Sequence, residues 1–367
     1  MYVLVVGLRG FPGIQGGIET HCEQLYPRLV ELGAEVEVVT RSSYWSDSKP
    51  AEHLGVKLTP VWSPASTMLE TFVHSFLGVL YAAYKRPDVL HLHAIGPAIF
   101  TPLARLFGLN VVVTHHGPDY DREKWNEFAR WLLRLGERLG MRWSHRRIVI
   151  SETIRDLVQD KHRLDSDLIA NGVPRAEPMS SSNWLDAQGV EPGKYVVQVS
   201  RLVPEKRQLD LVQAFEKSAI QSRGWHLLLV GANDSDDDYQ NALRDAASAN
   251  PHIVLTGFQT GETLREILTH AGAFVLPSSH EGLPIALLEA LSYALRSFAS
   301  DIPANLEVPI DSRQFFPLGD VLALTALLVE AADSPWTDAD RAGALAIADT
   351  YDWDFIARQT LAVYEGS

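Results

Sequence analysis

The sequence predicts an α/β protein built from two doubly wound domains, and three observations carry that expectation. Short β-branched runs alternate with longer helical stretches, the signature of parallel sheets. The chain has 367 residues, enough for two domains with a core each. The pattern also restarts: residues 2–7 and 195–200 are each an apolar run followed by a loop and a helical stretch.

In the first half the strand expectations are 2–7, 35–40, 56–61, 88–92, 110–114 and 147–150, with helices near 18–32, 66–85, 97–107, 122–142 and 152–160. A break follows at Asn171-Gly172-Val173-Pro174. Residues 174–193, with three prolines and a run of serines at 180–182, read as a linker with a short excursion. The second series has strands near 195–199, 226–230, 253–255 and 273–276. Trp353, Ile356, Ala357, Leu361 and Tyr364 recur at helical spacing, so 345–365 reads as a terminal helix packed back on the body. The expected division is a first domain over 1–172, a second over 173–345, and a returning C-terminal helix over 346–367. Doubly wound sheets bind ligands at the carboxyl ends of their strands, so two of them are expected to present a central cleft.

Hydrophobic content of 46% and charged content of 21% are those of an ordinary globular protein. A formal net charge of -14 argues against nucleic acid as a partner, since that binding relies on many cationic contacts to phosphates. The single cysteine, Cys22, excludes an intrachain disulfide and fits a buried position on a helix. That usage agrees with a cytoplasmic location. The opening Met-Tyr-Val-Leu-Val-Val-Gly lacks a basic leader and reads as a first strand. No apolar run reaches the length that spans a bilayer, so the chain is expected to be soluble or peripheral.

The most informative stretch is 276–290, Leu-Pro-Ser-Ser-His-Glu-Gly-Leu-Pro-Ile-Ala-Leu-Leu-Glu-Ala. It follows an apolar strand and reads strand, loop, helix, with Pro284 suited to the first helical turn. A helix N-terminus there would seat a phosphate. Glu281 falls at the mouth of that site and Glu289 about two turns along the helix. Carboxylates beside an anion site make sense as acceptors for hydroxyl groups. Arg201 and Lys206 flank a loop after the first strand of the second domain, a fork and a point charge suited to a diphosphate. Gly16-Gly17 precede a helix and would let backbone approach a phosphate; turn glycines are the plainer reading. His116 ends a strand in Thr-His-His-Gly-Pro-Asp119 and either lines a site or is a satisfied core histidine. His91 and His93 share one strand face, and His93 and Asp119 are candidates for an acceptor side.

Asp234, Asp236, Asp237 and Asp238 invite a divalent-metal reading. The residue types suit a helix cap and a solvated loop better, and no zinc spacing is present. Arg130, Arg134, Arg138, Arg142 and Arg146 step by four, interleaved with Trp125, Trp131 and Trp143. Residues 122–147 hold eight Lys/Arg against three Glu. Such a ladder suits an anionic membrane surface or an anionic acceptor, or else is a solvated face over core tryptophans.

Glu281-x7-Glu289, Arg201-x4-Lys206, Gly16-Gly17 and His116, in this order on two Rossmann-like halves, resemble the retaining GT-B glycosyltransferases. The branch is that of the glycogen-synthase/mannosyltransferase-like bacterial sugar transferases of polysaccharide and lipopolysaccharide assembly. The start Gly7-Leu-Arg-Gly-Phe-Pro-Gly-Ile-Gln-Gly-Gly-Ile-Glu-Thr20 and His116-Gly-Pro-Asp-Tyr-Asp-Arg-Glu-Lys-Trp125 look like that branch, rhamnosyltransferase-like members included. The resemblance covers nearly the whole chain. It implies a nucleotide-sugar donor, a glycan or lipid-linked acceptor and no metal cofactor. It further implies that Glu281 meets the donor-sugar hydroxyls and that the backbone of Gly282, Leu283 and Pro284 holds sugar and phosphate. Glu289 would take the ribose, Arg201, Lys206 and Gly17 the diphosphate, His116 the reacting sugar, and Gly257 with Phe258 the region of the base. Ser200 stands where many relatives have glycine. The implied reaction retains anomeric configuration, with closure of the two domains on the donor. The rival readings are a nucleotide-sugar epimerase on a similar scaffold and a non-catalytic nucleotide-binding subunit.

Overall fold

A computed structural model describes residues 1–45, 50–64, 67–121, 125–232 and 238–367. Asp234, Asp236 and Asp237 of the aspartate cluster lie outside these residues, as do 122–124; Asp238 opens a helix. The chain divides into two compact units, one of residues 1–172 with 353–367 and one of residues 173–352.

In the first unit the strands are β1 (Tyr2–Val6), β2 (Glu35–Arg41), β3 (Glu52–His53), β4 (Val56–Val61), β5 (Val89–His93), β6 (Val111–His115), β7 (Arg146–Val149) and β8 (Asp167–Leu168). Among the described residues they form one sheet in the order β3-β4-β2-β1-β5-β6-β7-β8, parallel except for β3 against β4. The crossovers are α1 (Gly17–Glu31), α2 (Thr67–Lys85), α3 (Thr101–Leu106), α4 (Glu127–Trp143) and α5 (Glu152–His162). Val3–Val6 of β1 and Val111–Val113 of β6 are apolar and buried on both faces because helices cover both sides of a parallel sheet.

The second unit opens with α6 (Asn183–Gln188) inside the segment read as linker. It continues through β9 (Tyr195–Val199), α7 (Gln208–Ser218), β10 (His226–Val230), α8 (Asp238–Ala249), β11 (Ile253–Gly257), α9 (Gly261–Thr269), β12 (Ala273–Leu276), α10 (Ile285–Ser292), β13 (Ser297–Ser300), α11 (Pro303–Leu306), β14 (Phe315–Phe316), α12 (Val321–Asp333) and α13 (Asp338–Asp349). Its sheet runs β11-β10-β9-β12-β13-β14, all parallel. β13 and β14 escape the strand pattern: one is Ser-Phe-Ala-Ser without a β-branched residue, the other only two residues long.

The terminal helix differs from the expectation. α13 ends at Asp349, and a separate helix α14 (Trp353–Glu365) follows. Between them the Tyr351 carbonyl accepts from the Val173 N–H at 2.9 Å, and Asp352 bridges to Val173, so this backbone pairs laterally instead of continuing a helix. The apolar spacing that motivated the helix lies wholly in α14. Trp353, Ile356, Ala357, Val363 and Tyr364 enter the first unit's core beside Cys22, Leu25, Tyr26 and Leu29 of α1. The stretch read as one helix at 97–107 is a short 3-10 turn over Pro97–Phe100 and then α3.

Each sheet reverses its strand order once, between β1 and β5 in the first unit and between β9 and β12 in the second. Ligands of open α/β sheets bind beyond the carboxyl ends of the strands at such reversals. Close approach there demands glycine at position 7, where φ is +123° and an added Cβ would lie 2.3 Å from the His93 carbonyl oxygen. Gly7→Ala is therefore expected to lower stability by about 2 kcal/mol or more, read as a drop in the thermal unfolding midpoint. An unchanged midpoint would refute the contact.

Candidate active site

The second unit's reversal point is formed by the loops that follow β9 and β12. The first holds Arg201 and Lys206, with a 3-10 turn over Pro204–Lys206. It is stapled from three sides. Gln198 Nε2 donates to the Lys206 carbonyl at 2.8 Å, Gln208 Nε2 to the Arg201 carbonyl at 2.8 Å, and the Ser279 N–H to the Glu205 carbonyl at 2.9 Å. The last bond comes from the loop after β12, so the two loops hold each other. Across them Lys206 Nζ donates to Glu281 Oε1 at 2.5 Å, both side chains largely buried at 16% and 12% exposure. The Arg201 guanidinium lies 4.0 Å from Glu205. Cations on one side and a carboxylate on the other thus meet at the point where this fold binds ligands.

Helix α10 starts one residue later than expected. Pro284 is its N-cap, with its carbonyl accepting from Leu287 and Leu288 at 3.0 and 3.2 Å. Leu283 and Pro284 are buried, Gly282 is half-buried. Glu289 sits on the first turns of α10, and burial raises its pKa from 4.5 to about 7. Gly257 closes β11 in the left-handed region at φ +71°, its carbonyl accepting from the Gly231 N–H at 2.9 Å. Phe258 beside it is 42% exposed.

In the first unit Gly16 caps α1 and Gly17 begins it. A Cβ on Gly16 would strike the Glu19 carboxylate, whose other oxygen accepts from the Arg9 N–H at 3.1 Å; a Cβ on Gly17 would meet nothing within 4 Å. The backbone at Gly17 is open to approach.

His93 ends β5 and His116 follows β6. His93 Nδ1 bonds His116 Nε2 at 2.8 Å, and His93 Nε2 bonds the Tyr26 hydroxyl at 2.5 Å. The chain continues from Tyr26 to His91 Nδ1 at 3.0 Å, from there to the Tyr364 hydroxyl at 2.6 Å, and from His91 Nε2 to Thr114 at 2.7 Å. His21 joins from α1, its Nδ1 bonded to Asn171 at 2.8 Å and its ring edge-on to His116 at 5.1 Å. Burial lowers the pKa of His21 to about 4 and of His91 to about 3, and holds His93 and His116 well below 6.5. These imidazoles are neutral at pH 7 and act by hydrogen bonding. His116 is a hydrogen-bonded histidine just past the end of β6, tied to His93 at the end of β5, which flanks the reversal point. Asp119 lies in the turn over Asp119–Asp121 beyond it.

Sequence reasoning missed two groups here. One is the network that surrounds the strand-end histidines, namely His21 and Tyr26 of α1, Tyr364 of α14 and Asn171 beyond β8, which share no spacing signal. The other is Glu137 on α4, which is fully buried. Its Oε1 accepts from Lys161 at 2.6 Å and His162 at 2.8 Å, and its Oε2 lies 3.4 Å from His115. Burial alone would push this carboxyl's pKa up; hydrogen bonds from His115 and Lys161 outweigh it and hold the group well below the usual range. His115 Nδ1 in turn accepts from the Gly117 N–H at 3.0 Å, fixing the loop that carries His116.

The arginine ladder breaks in two places. Arg146 is on β7, paired with Asp167 at 2.8 Å, and Arg130 pairs with Glu127 at 2.9 Å. Trp131 and Trp143 are 56% and 47% exposed, so they are not core tryptophans. Among the described residues no helix is long and apolar enough to cross a membrane. His21, His93 and His116 bring three ring nitrogens within 4.8 Å of one another, a spacing compatible with a metal, while each ring also has a hydrogen bond: His93 to His116 and Tyr26, and His21 to Asn171.

Two Rossmann-like units with polar loops at their reversal points define a GT-B architecture, and comparison with known proteins agrees. A family model described as glycosyl transferase 4-like domain matches residues 16–172, and one described as glycosyl transferases group 1 matches residues 183–328. The structure superposes on Anabaena Alr3699/HepE in complex with UDP and glucose with a TM-score of 0.82, at 17% identity over all of both chains. WaaG, a glycosyltransferase involved in lipopolysaccharide biosynthesis, gives 0.78 at 16% identity, again over both whole chains. In sequence the chain is 28% identical to α-maltose-1-phosphate synthase of Mycolicibacterium smegmatis over 96% of each. It is 25% identical to GDP-mannose:cellobiosyl-diphosphopolyprenol α-mannosyltransferase of Xanthomonas oryzae pv. oryzae over 77% of this chain and 75% of that one. The chain is a glycosyltransferase of GT-B fold whose second unit is matched by the group 1 model.

Proposed function

We propose that this glycosyltransferase moves a sugar from a nucleoside-diphosphate donor to a glycan or lipid-linked acceptor, with retention of configuration, in cell-surface polysaccharide assembly. The observation that carries the reading is the Lys206–Glu281 pair at the second sheet's reversal point. A cation there suits a diphosphate and a carboxylate there suits sugar hydroxyls. Relatives that name a GDP-mannose donor and a structural neighbour bound to UDP and glucose support a nucleotide sugar.

In the proposed reaction the bond from the anomeric carbon to the diphosphate oxygen breaks and a bond to the acceptor oxygen forms on the same face. The acceptor's proton passes to the departing phosphate. Lys206, Arg201 and the start of α10 stabilise the charge on that phosphate, so the chemistry asks for no metal. Gly282, Leu283 and Pro284 lend backbone to the sugar and phosphate, while Gly257 and Phe258 border the base. On the first unit the proposed contacts are His116 with the reacting sugar and the Gly16-Gly17 backbone with the diphosphate, His93 and Asp119 lying on the acceptor side. The exposed Phe128, Trp131 and Trp143 beside Arg130, Arg134, Arg138 and Arg142, with Leu69, Phe72, Phe76 and Leu80 exposed along α2, support a peripheral contact with the cytoplasmic face of an anionic membrane.

A panel of nucleotide sugars scored by thermal shift, followed by NMR of the anomeric proton in the product, tests the reading. An inverted product rejects retention, and a new epimer from donor alone favours the epimerase.

Glu289 supplies a pH test. Ribose hydroxyls donate to a carboxylate, so the nucleotide binds the charged form of a group that titrates near pH 7 when free. Affinity for the nucleotide is expected to fall as pH drops below 7, approaching about tenfold per unit. In Glu289→Gln the curve should be flat over that range; a wild-type curve that is already flat argues against the ribose role.

A further inference from the structure

We infer that α4 and α5 build a second anion site, a pocket for a phosphoryl or diphosphoryl group. A cavity of about 380 Å³ is lined by Arg134, Arg138, Arg142, Lys161, His162 and Leu164. The three arginines lie four apart on one stripe of α4, and the last turn of α5 closes the other side. The charges there are not balanced by their neighbours. Lys161 and His162 are both spent on the buried Glu137. Arg134 lies over the Tyr120 ring at 5.3 Å, a contact that leaves its charge uncompensated. Among the described residues Arg138 and Arg142 have no ion-pair partner.

Three guanidinium forks facing one cavity match the several oxygens of a phosphate, which each fork can grip with two parallel hydrogen bonds. The rest of the molecule argues for contact rather than diffuse attraction. At a net charge of -14 the protein repels a free anion at a distance, so affinity must come from the forks themselves. The site lies on the later turns of α4 and the last turn of α5, and its lining includes none of the residues proposed to hold the donor, neither Arg201, Lys206 and the start of α10 in the second unit nor Gly16, Gly17 and His116 in the first. It therefore stands apart from the donor reading. For the membrane contact proposed above it would supply the grip on a headgroup.

The test uses the full chain carrying Arg201→Ala and Lys206→Ala, so that the donor loop cannot bind the probe. Inorganic diphosphate is titrated by calorimetry in one arm. In the other, sedimentation is measured with phosphatidylcholine vesicles containing phosphatidic acid, against vesicles of matched charge containing oleic acid. Binding of diphosphate assigns a soluble phosphate compound, and binding confined to the phosphatidic acid vesicles assigns a lipid headgroup. In either arm Arg138→Gln/Arg142→Gln is expected to weaken binding about tenfold or more, with Arg138→Glu/Arg142→Glu abolishing it and circular dichroism reporting an intact fold for both. No binding in both arms, equal binding by the glutamine variant, or equal binding to oleic acid vesicles overturns the pocket.

Discussion

Lys206→Ala is expected to lower kcat by about 10²- to 10³-fold, the cost of losing one aimed donor to developing charge. Glu281→Ala should reduce transfer comparably, since it removes the carboxylate opposite. The two side chains are bonded to each other before any donor arrives, at 2.5 Å and with little exposure. That pairing holds both head groups at the reversal point and keeps either from being buried alone. The loop itself is secured by Gln198, Gln208 and Ser279 through backbone carbonyls, none of which depends on the Lys206 side chain. The loop backbone is therefore expected to hold, with a drop in the unfolding midpoint limited to the cost of the partner left without its counter-charge, while turnover collapses. Steady-state kinetics with the best donor from the panel reads the effect. Wild-type turnover in both variants would remove the proposed chemistry from this pair.

Glu137→Ala should have the largest effect on stability. The carboxylate is fully buried and serves Lys161, His162 and His115. Truncation leaves those partners without their counter-charge, a loss of about 3–5 kcal/mol, or on the order of 10 °C in midpoint for a unit of this size. The same group sets an acid limit. Its pKa lies below the unfolded value of 4.5, so its contribution is complete above that value and is lost as pH falls beneath it. The wild-type midpoint should fall more steeply than that of Glu137→Gln below pH 4.5. Parallel curves would show that the carboxylate's charge contributes nothing.

Both predictions rest on residues that differ in how visible they were in the sequence. Glu281, Lys206 and Arg201 could be read because each sits in a short loop directly after an apolar strand, and strand-loop-helix is a local pattern. The same locality located Gly16-Gly17 and His116. Glu137 could not be read: on its own helix it is one acid among arginines, and only the fold of α5 onto α4 brings Lys161 and His162 to it. Nor could the tryptophans be assigned to surface or core, because an exposed aromatic and a buried one have the same periodicity. The break between α13 and α14 was invisible for a related reason. It depends on a backbone pairing with Val173, far away in the chain.

The sequence by itself determined what most short segments would be: the longer parallel strands, the main crossover helices and the polar loops at strand ends. These follow from spacing, branching and turn residues, which act over a few residues. The tertiary structure alone decided which of those loops are neighbours, because strand order is set by long-range packing. It placed β9 beside β12, so that Lys206 and Glu281 meet across 75 positions. It also carried Tyr364 of α14 to His91, turning isolated histidines into a neutral hydrogen-bonded chain. Burial, which only the assembled core supplies, then moved Glu289 toward pH 7 and the histidines well below it.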